Sequence, residues 1–257
     1  MTSDSDSDSD STDARDDHAT VLFNLLEGNE RHVDSLADGY FDAVRDEQHP
    51  DVVTMCCSDS RVSQEGMWSI DRPGAIFTPS TIGNQIWDVE DGERFVDGSV
   101  LYPIHYTDTE AVAVVGHTGC GAVTAAYEVA SGDEEPPGPR GVTKWVEALV
   151  PVVESGLESE LVDTDIGSDD DVDADADTGI IDQLVEYNVH RQVSYLRMAE
   201  SIPSSVSCYG FVYDFHETYG SEPGRAYLVN LDGETDPRAI AMDLPDTYAD
   251  SVSSLLY

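Results

Sequence analysis

The stretch Thr54-Met55-Cys56-Cys57-Ser58-Asp59-Ser60-Arg61-Val62 places a thiol, a carboxyl group and a guanidinium on alternate residues. It begins inside the mainly apolar segment 51–55, which is predicted to be a buried strand. A second apolar run, residues 111–115, leads in the same way into Gly116-His117-Thr118-Gly119-Cys120-Gly121. Two predicted strands therefore end in side chains that bind soft metal ions, and we expect the two strand ends to be neighbours.

Cys57, His117 and Cys120 together form a Cys₂His set, which for zinc is typical of a catalytic site with an open fourth position. A structural zinc site and buried cysteines without a metal are the alternatives. A structural site usually has four Cys or His ligands, and the remaining cysteines fit poorly. Cys56 would point away from Cys57 on an extended chain, and Cys208 is distant in the sequence. The sequence therefore favours a catalytic zinc ion.

These motifs resemble those of the β-class carbonic anhydrases. Cys57, Asp59 and Arg61 form C-x-D-x-R, and H-x-x-C follows at His117 and Cys120. Weaker matches extend the resemblance from about residue 19 to about residue 231: Gln48-His49-Pro50, Pro73-Gly74 with Ile76-Phe77, Gly83-Asn84, Asn188-Val189 with Gln192-Val193, and Tyr209-Gly210-Phe211-Val212-Tyr213-Asp214. The resemblance implies reversible hydration of CO₂ to bicarbonate and a proton by zinc-bound hydroxide, in a homodimer or homotetramer.

Asp59 lies two residues from Cys57 and two from Arg61, so a turn can bring its carboxylate to the metal or to the guanidinium. Paired with Arg61, Asp59 would accept a hydrogen bond from the hydroxide and orient it. Bound to zinc, it would close the site, as in some members of the resembled family. An ion pair that only stiffens the turn is the alternative.

The resemblance also implies a substrate pocket. The Gln48 side chain and the backbone N–H of Gly121 would donate hydrogen bonds to the substrate, and Phe77 and Ile82 would line the pocket. Core packing is the alternative for these two apolar residues. Ser80-Thr81 replaces the family's usual Arg-Asn pair after the second strand, so the contribution of that pair is in doubt here.

Apolar runs predict strands, and helical spacing predicts helices between them. The predicted strands are 51–55, 75–78, 111–115, 206–213 and 225–231; the predicted helices are two N-terminal ones split near Gly28, then 64–68, 98–106, 122–130, 142–153 and 180–202. Pro103 and Pro151 should kink or shorten their helices. This alternation predicts an α/β fold with a mainly parallel central sheet flanked by helices, and an active site beyond the carboxyl ends of its strands. The resemblance implies a Rossmann-like β-carbonic anhydrase fold with an N-terminal helical arm that embraces a partner subunit.

One zinc-binding catalytic domain, residues 19–257, is predicted to follow a disordered acidic tail, residues 1–18. An acidic surface insertion is predicted at about 154–178. A calcium loop is the alternative there, because Asp173, Asp175 and Asp177 alternate. It is disfavoured, since Gly179 occupies the next ligand position and no glutamate stands at loop position twelve.

The charge is extreme: 53 acidic residues oppose 12 basic ones, and the formal net charge is −41. Such a surface repels nucleic acids and anionic membranes, so neither is a predicted partner. An acid excess with a single lysine, Lys144, indicates adaptation to molar salt and a halophilic source. An acidic disordered protein is the alternative, but the regular apolar runs argue against it.

The four cysteines do not suggest a disulfide framework, because two are assigned to the metal. The N-terminus has neither a basic nor an apolar signal region, and no stretch has the roughly 18 apolar residues of a membrane span. A cytoplasmic location is therefore the prediction.

The same residues exclude one other function, disfavour a second and leave two open. A cysteine phosphatase needs C-x₅-R, whereas four residues separate Cys56 from Arg61 and three separate Cys57 from it, so that class is excluded. A redox switch at Cys56-Cys57 is disfavoured because the two side chains should diverge. A non-catalytic zinc-binding module remains open. Hydrolysis of carbonyl sulfide or carbon disulfide also remains open, since it would use the same hydroxide.

Overall fold

The computed structural model describes residues 10–132, 135–136, 138–165 and 175–257, without the side chains of residues 10–19 and 175–178. These residues form two compact units, of which the first ends at Glu47 and the second begins at Gln48. The predicted domain, 19–257, therefore combines part of the first unit with the whole of the second.

The first unit contains one long helix, α1 (Asp10–Ser35), followed by turns at residues 38–46. The prediction of two helices split near Gly28 is wrong, because Gly28 lies inside α1 and no second helix forms in residues 36–47. A helical glycine costs only about 1 kcal/mol relative to alanine, and the leucines and glutamates around it favour the helix.

Helix α1 begins within the segment that is predicted to be a disordered tail. Residues 10–18, predicted to be disordered, are helical, and residues 1–9 lie outside the described part of the chain.

The second unit is built on a six-stranded sheet in the order β2-β1-β6-β7-β8, with β3 also pairing with β1. Its strands are β1 (Val52–Cys57), β2 (Ile76–Phe77), β3 (Ser80–Thr81), β6 (Ala111–His117), β7 (Ser207–Asp214) and β8 (Arg225–Leu231). All pairs are parallel except β7 with β8. Strands β1 and β6 are continuous apolar runs, as expected for parallel strands covered on both faces. The predicted mainly parallel sheet is confirmed.

Helices flank this sheet. They are α2 (Gln64–Met67), α3 (Gly98–Tyr106), α4 (Gly121–Ser131), α5 (Arg140–Leu157), α6 (Asp175–Met198) and α7 (Pro237–Asp243), followed by a 3₁₀ helix (Asp246–Ser251). Asp97 caps α3, because its side chain accepts a hydrogen bond from the N–H of Ser99. Among the described residues, no helix combines the length and the apolar character needed to cross a membrane.

Two features of the second unit differ from the predictions, one in its helices and one in its strands. Pro103 and Pro151 lie inside α3 and α5, and both helices continue beyond them. Burial of Val152 and Val153 in the core offsets the backbone hydrogen bond that Pro151 removes. A hairpin of β4 (Trp87–Glu90) and β5 (Glu93–Val96) was not predicted.

Helix α6 packs closely on β6 and β7, and a glycine permits this approach. A Cβ atom at Gly116 would lie 2.9 Å from Val189 Cγ2 and 3.0 Å from Val185 Cγ1, so a larger side chain would push the helix away. Gly116 directly precedes His117, and α6 therefore packs beneath the end of β6.

The predicted acidic insertion, 154–178, is divided in the structure. Its first residues complete α5 and its last begin α6, while residues 166–174 lie outside the description. The calcium-loop alternative falls on Asp173, Asp175 and Asp177, whose side chains are not described.

Candidate metal centre

Two parallel strands bring the predicted ligands together. Strands β1 and β6 are paired, with Cys56 opposite Val115, so their carboxyl ends lie at the same edge of the sheet. Cys57 is the last residue of β1 and His117 the last residue of β6. The ligand atoms of Cys57, His117 and Cys120 all lie within 4.8 Å of one another. The predicted convergence of these three residues is confirmed.

The geometry of these side chains fits zinc. The two sulfur atoms, Sγ of Cys57 and Sγ of Cys120, are 3.9 Å apart. A tetrahedral zinc ion with Zn–S bonds of about 2.3 Å places two sulfur ligands about 3.8 Å apart. All three side chains are buried, with exposed fractions of 3% or less. These three side chains would therefore keep solvent away from the side of a metal ion that they bind.

His117 is oriented as a ligand. Its Nδ1 lies 2.9 Å from the carbonyl oxygen of Thr118, which assigns the ring proton to Nδ1. The opposite nitrogen, Nε2, is buried and has no hydrogen-bond partner among the described residues. A buried polar atom without a partner is costly, and a metal ion bound at Nε2 would satisfy it.

The two thiols share charge unequally. A hydrogen bond with the Cys120 thiol lowers the pKa of Cys57 to about 4, against the opposing effect of burial. The same hydrogen bond raises the pKa of Cys120 well above its ordinary value, and burial adds to this. The N–H groups of Ala122 and Val123 at the start of α4 act in the opposite direction on Cys120. Zinc binding requires both thiolates, so it would release the proton that this pair retains.

His117 responds to the same negative charge. Burial lowers its pKa, but the Cys57 thiolate and the Thr118 carbonyl outweigh burial, and the pKa of His117 is raised. Cys56 belongs to the other face of the sheet, where it packs with Ala113 and Val115. Burial raises the pKa of Cys56 to about 12. The prediction that the two adjacent cysteines diverge is confirmed, and Cys56 is not part of the ligand set.

Asp59 and Arg61 form an ion pair beside the ligands. Nη2 of Arg61 lies 3.3 Å from Oδ2 of Asp59, and both side chains are about half exposed. The guanidinium also lies over the ring of Phe215, 4.8 Å from its centroid, and that ring stacks on His117 at 5.5 Å. The structure therefore places Asp59 with the guanidinium and not within the ligand set.

The residues predicted to bind substrate or to line its pocket differ from one another in burial and in contacts. Phe77 is half-buried and faces the ring of Tyr102 at 6.1 Å, and Ile82 is half-buried just after β3. Gly121 is exposed at the start of α4, and no atom lies within 4 Å of a Cβ built there. Gln48 is half-buried, and among the described residues its side chain makes no hydrogen bond to the metal ligands.

Ser80 and Thr81, which stand where the resembled family has Arg-Asn, form β3 and hold local structure. The amide of Gln64 donates to the Ser80 hydroxyl at 3.0 Å, and the Thr81 hydroxyl donates to the carbonyl of Gln85 at 3.0 Å. Backbone pairing, including the Ser58 N–H that donates to the Thr81 carbonyl at 2.8 Å, holds β3 beside β1. Neither Ser80 nor Thr81 supplies a positive charge near the metal centre.

Several residues near the metal centre were not predicted. Phe215 contacts His117, while the Thr118 hydroxyl accepts the N–H of Phe215 at 3.2 Å and contacts His216 Nδ1 at 2.9 Å. The signal was available, because β7 pairs in parallel with β6 and the residues after Asp214 must reach the same edge of the sheet. Asp182 of α6 carries no such signal, since its role depends on tertiary contact.

Together, the fold and the ligand set define an α/β protein with a buried Cys₂His metal centre at the carboxyl edge of a mainly parallel sheet. Residues 52–219 match the family model described as carbonic anhydrase, so the chain belongs to the carbonic anhydrase family. Carbonic anhydrase 2 of Mycobacterium tuberculosis is 28% identical over 210 residues, covering 79% of this chain and 89% of that protein.

Solved structures show the same architecture. A β-carbonic anhydrase from Coccomyxa, in complex with acetazolamide, aligns with a TM-score of 0.61 at 22% identity, covering 86% of this chain and 91% of that one. A tetrameric β-carbonic anhydrase from Sordaria macrospora aligns with a TM-score of 0.59 at 16% identity, covering 84% of this chain and 98% of that one. The fold is therefore that of the β-carbonic anhydrases.

Proposed function

We propose that this chain catalyses the reversible hydration of CO₂ to bicarbonate and a proton, with zinc held by Cys57, His117 and Cys120. The observation that carries the proposal is the unpartnered, buried Nε2 of His117 facing two thiols, in a chain of the carbonic anhydrase family. When bound, zinc lowers the pKa of a coordinated water to about 7 and so supplies hydroxide at neutral pH.

The protein's own residues orient this reaction. Asp59 is paired with Arg61 and accepts a hydrogen bond from the hydroxide nucleophile. This hydrogen bond orients the hydroxide so that a lone pair on its oxygen faces CO₂. Arg61 pairs with the Asp59 carboxylate and is itself held by its contact with the ring of Phe215. The Thr118 carbonyl fixes the tautomer of His117. This division leaves the two thiolates and the imidazole to bind the metal, and Asp59 to act on the nucleophile.

Substrate and product bind beside the start of α4. The backbone N–H of Gly121 lies at the positive end of that helix, which favours the developing negative charge of bicarbonate. Gln48 donates a hydrogen bond to a substrate oxygen, and Phe77 and Ile82 form apolar walls. Such walls suit CO₂, which has no net charge.

The assay of CO₂ hydration tests the function. Zinc-loaded protein should hydrate CO₂, followed by stopped flow with a pH indicator, and should hydrolyse carbonyl sulfide or carbon disulfide more slowly. The same preparation stripped of zinc by a chelator is the control. Zinc-loaded protein that hydrates CO₂ no faster than the stripped protein would instead support the non-catalytic module, in which water does not reach the metal. Faster hydrolysis of either sulfur compound would reassign the substrate.

We also propose that the chain works as a homodimer or homotetramer in molar salt. Helix α1 carries apolar side chains that are more than half exposed: Val21, Leu22, Phe23, Leu25 and Leu26. Burial of such a surface against a second copy must overcome the repulsion between two chains of formal net charge −41. The free thiols of the four cysteines support the proposed cytoplasmic location.

Assembly and activity should both rise with salt. The Debye length falls from about 30 Å at about 0.01 M salt to about 3 Å at about 1 M, so the repulsion between subunits is screened. Deletion of residues 1–18 removes seven aspartates and one arginine and should lower the salt concentration required. Light scattering and CO₂ hydration across a salt series measure the two effects. A fully active oligomer in dilute buffer would show that the acidic surface does not limit assembly.

A further inference from the structure

A buried carboxylate outside the ligand set contacts the metal turn, the segment from His117 to Cys120. The backbone N–H of Gly119 donates to Oδ1 of Asp182 at 2.7 Å, and Asp182 is fully buried. Gly119 has φ +62°, and a Cβ atom there would lie 2.6 Å from Cε1 of His216. Two contacts hold the backbone between the two ligands: the Gly119 N–H donates to Asp182, and the Thr118 N–H donates to the carbonyl oxygen of Tyr213 at 3.1 Å.

Asp182 is itself held in place. The hydroxyl of Thr218, in the segment that follows β7, donates to Oδ2 of Asp182 at 2.9 Å. Both carboxylate oxygens are thus engaged, one by the metal turn and one by the neighbouring segment. Burial raises the pKa of Asp182, and the Gly119 and Thr218 contacts oppose that effect. The carboxylate is a fixed acceptor between two loops at the same edge of the sheet.

Glu186, one helical turn further along α6, anchors the adjoining segments. It accepts hydrogen bonds from the hydroxyl of Tyr219 at 2.8 Å, the hydroxyl of Ser254 at 2.5 Å and the N–H of Leu255 at 2.8 Å. Thr218 and Tyr219 are adjacent, so the segment that holds Asp182 is fixed to the same helix through Glu186. The position of Asp182 is therefore supported by α6 and by the segment after β7.

We propose that Asp182 is a positioning residue for the metal centre, which fixes the angle between His117 and Cys120 by holding the Gly119 N–H. This inference rests on the proposed zinc site and adds a residue that does not touch the metal. His117 ends a strand and Cys120 begins a helix, so the two residues between them decide whether both ligands meet one ion. Without the Asp182 acceptor, the backbone at Gly119 can shift, and the positions of the His117 and Cys120 side chains can shift with it.

The test measures zinc release and ligand geometry separately from catalysis. Zinc-loaded Asp182→Ala should transfer its zinc to an excess of a chromogenic chelator about 10- to 100-fold faster than wild type, as expected for loss of an outer-shell partner. Its cobalt-substituted form should show shifted ligand-field absorption bands. Asp182→Asn keeps an amide oxygen that can accept the Gly119 N–H, and it should restore most of the wild-type rate and spectrum.

Asp232→Ala is the matched control. Asp232 also accepts a backbone N–H, that of Cys208 at 2.8 Å, but at the opposite end of β7 from the metal turn. Its removal should leave zinc release and the cobalt spectrum unchanged. A general loss of stability on removing such an acceptor would instead affect both variants.

Thr218→Val provides a second variant that leaves the carboxylate in place. It removes one anchor of Asp182 and should accelerate zinc release by less than Asp182→Ala does; it decides the question alone if Asp182→Ala does not fold. If the Asp182 and Thr218 variants fold and show the zinc release and cobalt spectra of wild type, Asp182 has no positioning role. The proposed function would still stand in that case if the wild-type protein hydrates CO₂. A wild-type protein that binds no zinc would overturn both.

Discussion

Cys57→Ser is expected to lose its zinc and its CO₂ hydration activity together. A serine hydroxyl stays protonated at neutral pH and is a poor ligand for zinc, whereas the surroundings of Cys57 lower its thiol pKa to about 4. His117 and Cys120 alone cannot complete the ligand set. Loss of an outer-shell partner already costs about 10- to 100-fold in metal affinity, and loss of a ligand should cost more. Elemental analysis of the purified variant measures the effect.

Cys56→Ser is the control for this variant. It changes the adjacent cysteine, whose side chain packs with Ala113 and Val115 on the other face of the sheet. It should keep one zinc per chain, although burying the hydroxyl without a partner costs about 1–3 kcal/mol of stability. Wild-type zinc content in Cys57→Ser, or zinc loss only in Cys56→Ser, would contradict the assignment of the ligands.

The sequence contained enough to predict the ligand set. Continuous apolar runs identify β1 and β6 as buried parallel strands, and the carboxyl ends of such strands meet at one edge. Cys57 and His117 follow these runs directly, so their approach depends only on the two strands being neighbours. The ion pair of Asp59 and Arg61 follows from their spacing within a single turn.

Other features depend on contacts between distant parts of the chain. Asp182 reaches the metal turn from α6, and no local pattern in the sequence specifies that contact. The hairpin of β4 and β5 is a different case, because Asp91 and Gly92, both with positive φ, form the kind of turn that favours hairpins. That signal was present, but the flanking strands are short and largely exposed.

Helix α1 illustrates a third kind of difference. The sequence predicts a helix boundary at Gly28, yet a single glycine is too weak to break a helix when good helix-forming residues surround it. The apolar side chains of α1 have the spacing of a buried helix face, but they are exposed in this chain. Sequence spacing identifies such a face without identifying what covers it.

Asp59→Asn is expected to keep its zinc and to lose most of its CO₂ hydration. The amide has the shape of the carboxylate but not its charge, and it accepts a hydrogen bond less strongly. Orienting the nucleophile and accepting its hydrogen bond contribute factors of about 10² to 10⁴ in related cases, so kcat should fall within that range. Stopped-flow CO₂ hydration and elemental analysis of the same preparation measure the two properties.

Asp51→Asn is the matched control, because Asp51 forms an exposed ion pair with Arg72 just before β1, at the opposite edge of the sheet from the metal centre. It should leave both turnover and zinc content unchanged. Unchanged turnover in Asp59→Asn would remove Asp59 from the mechanism, and its pair with Arg61 would then only stiffen the turn.

The rate of zinc release from Asp59→Asn distinguishes the two states of Asp59, paired with Arg61 or bound to the metal. A carboxylate paired with Arg61, at 3.3 Å as in this structure, is not a ligand of the metal, and the amide keeps its shape, so the variant should release zinc at close to the wild-type rate. Faster release from the variant would mean that Asp59 binds the metal in the resting enzyme and must leave it before CO₂ can react.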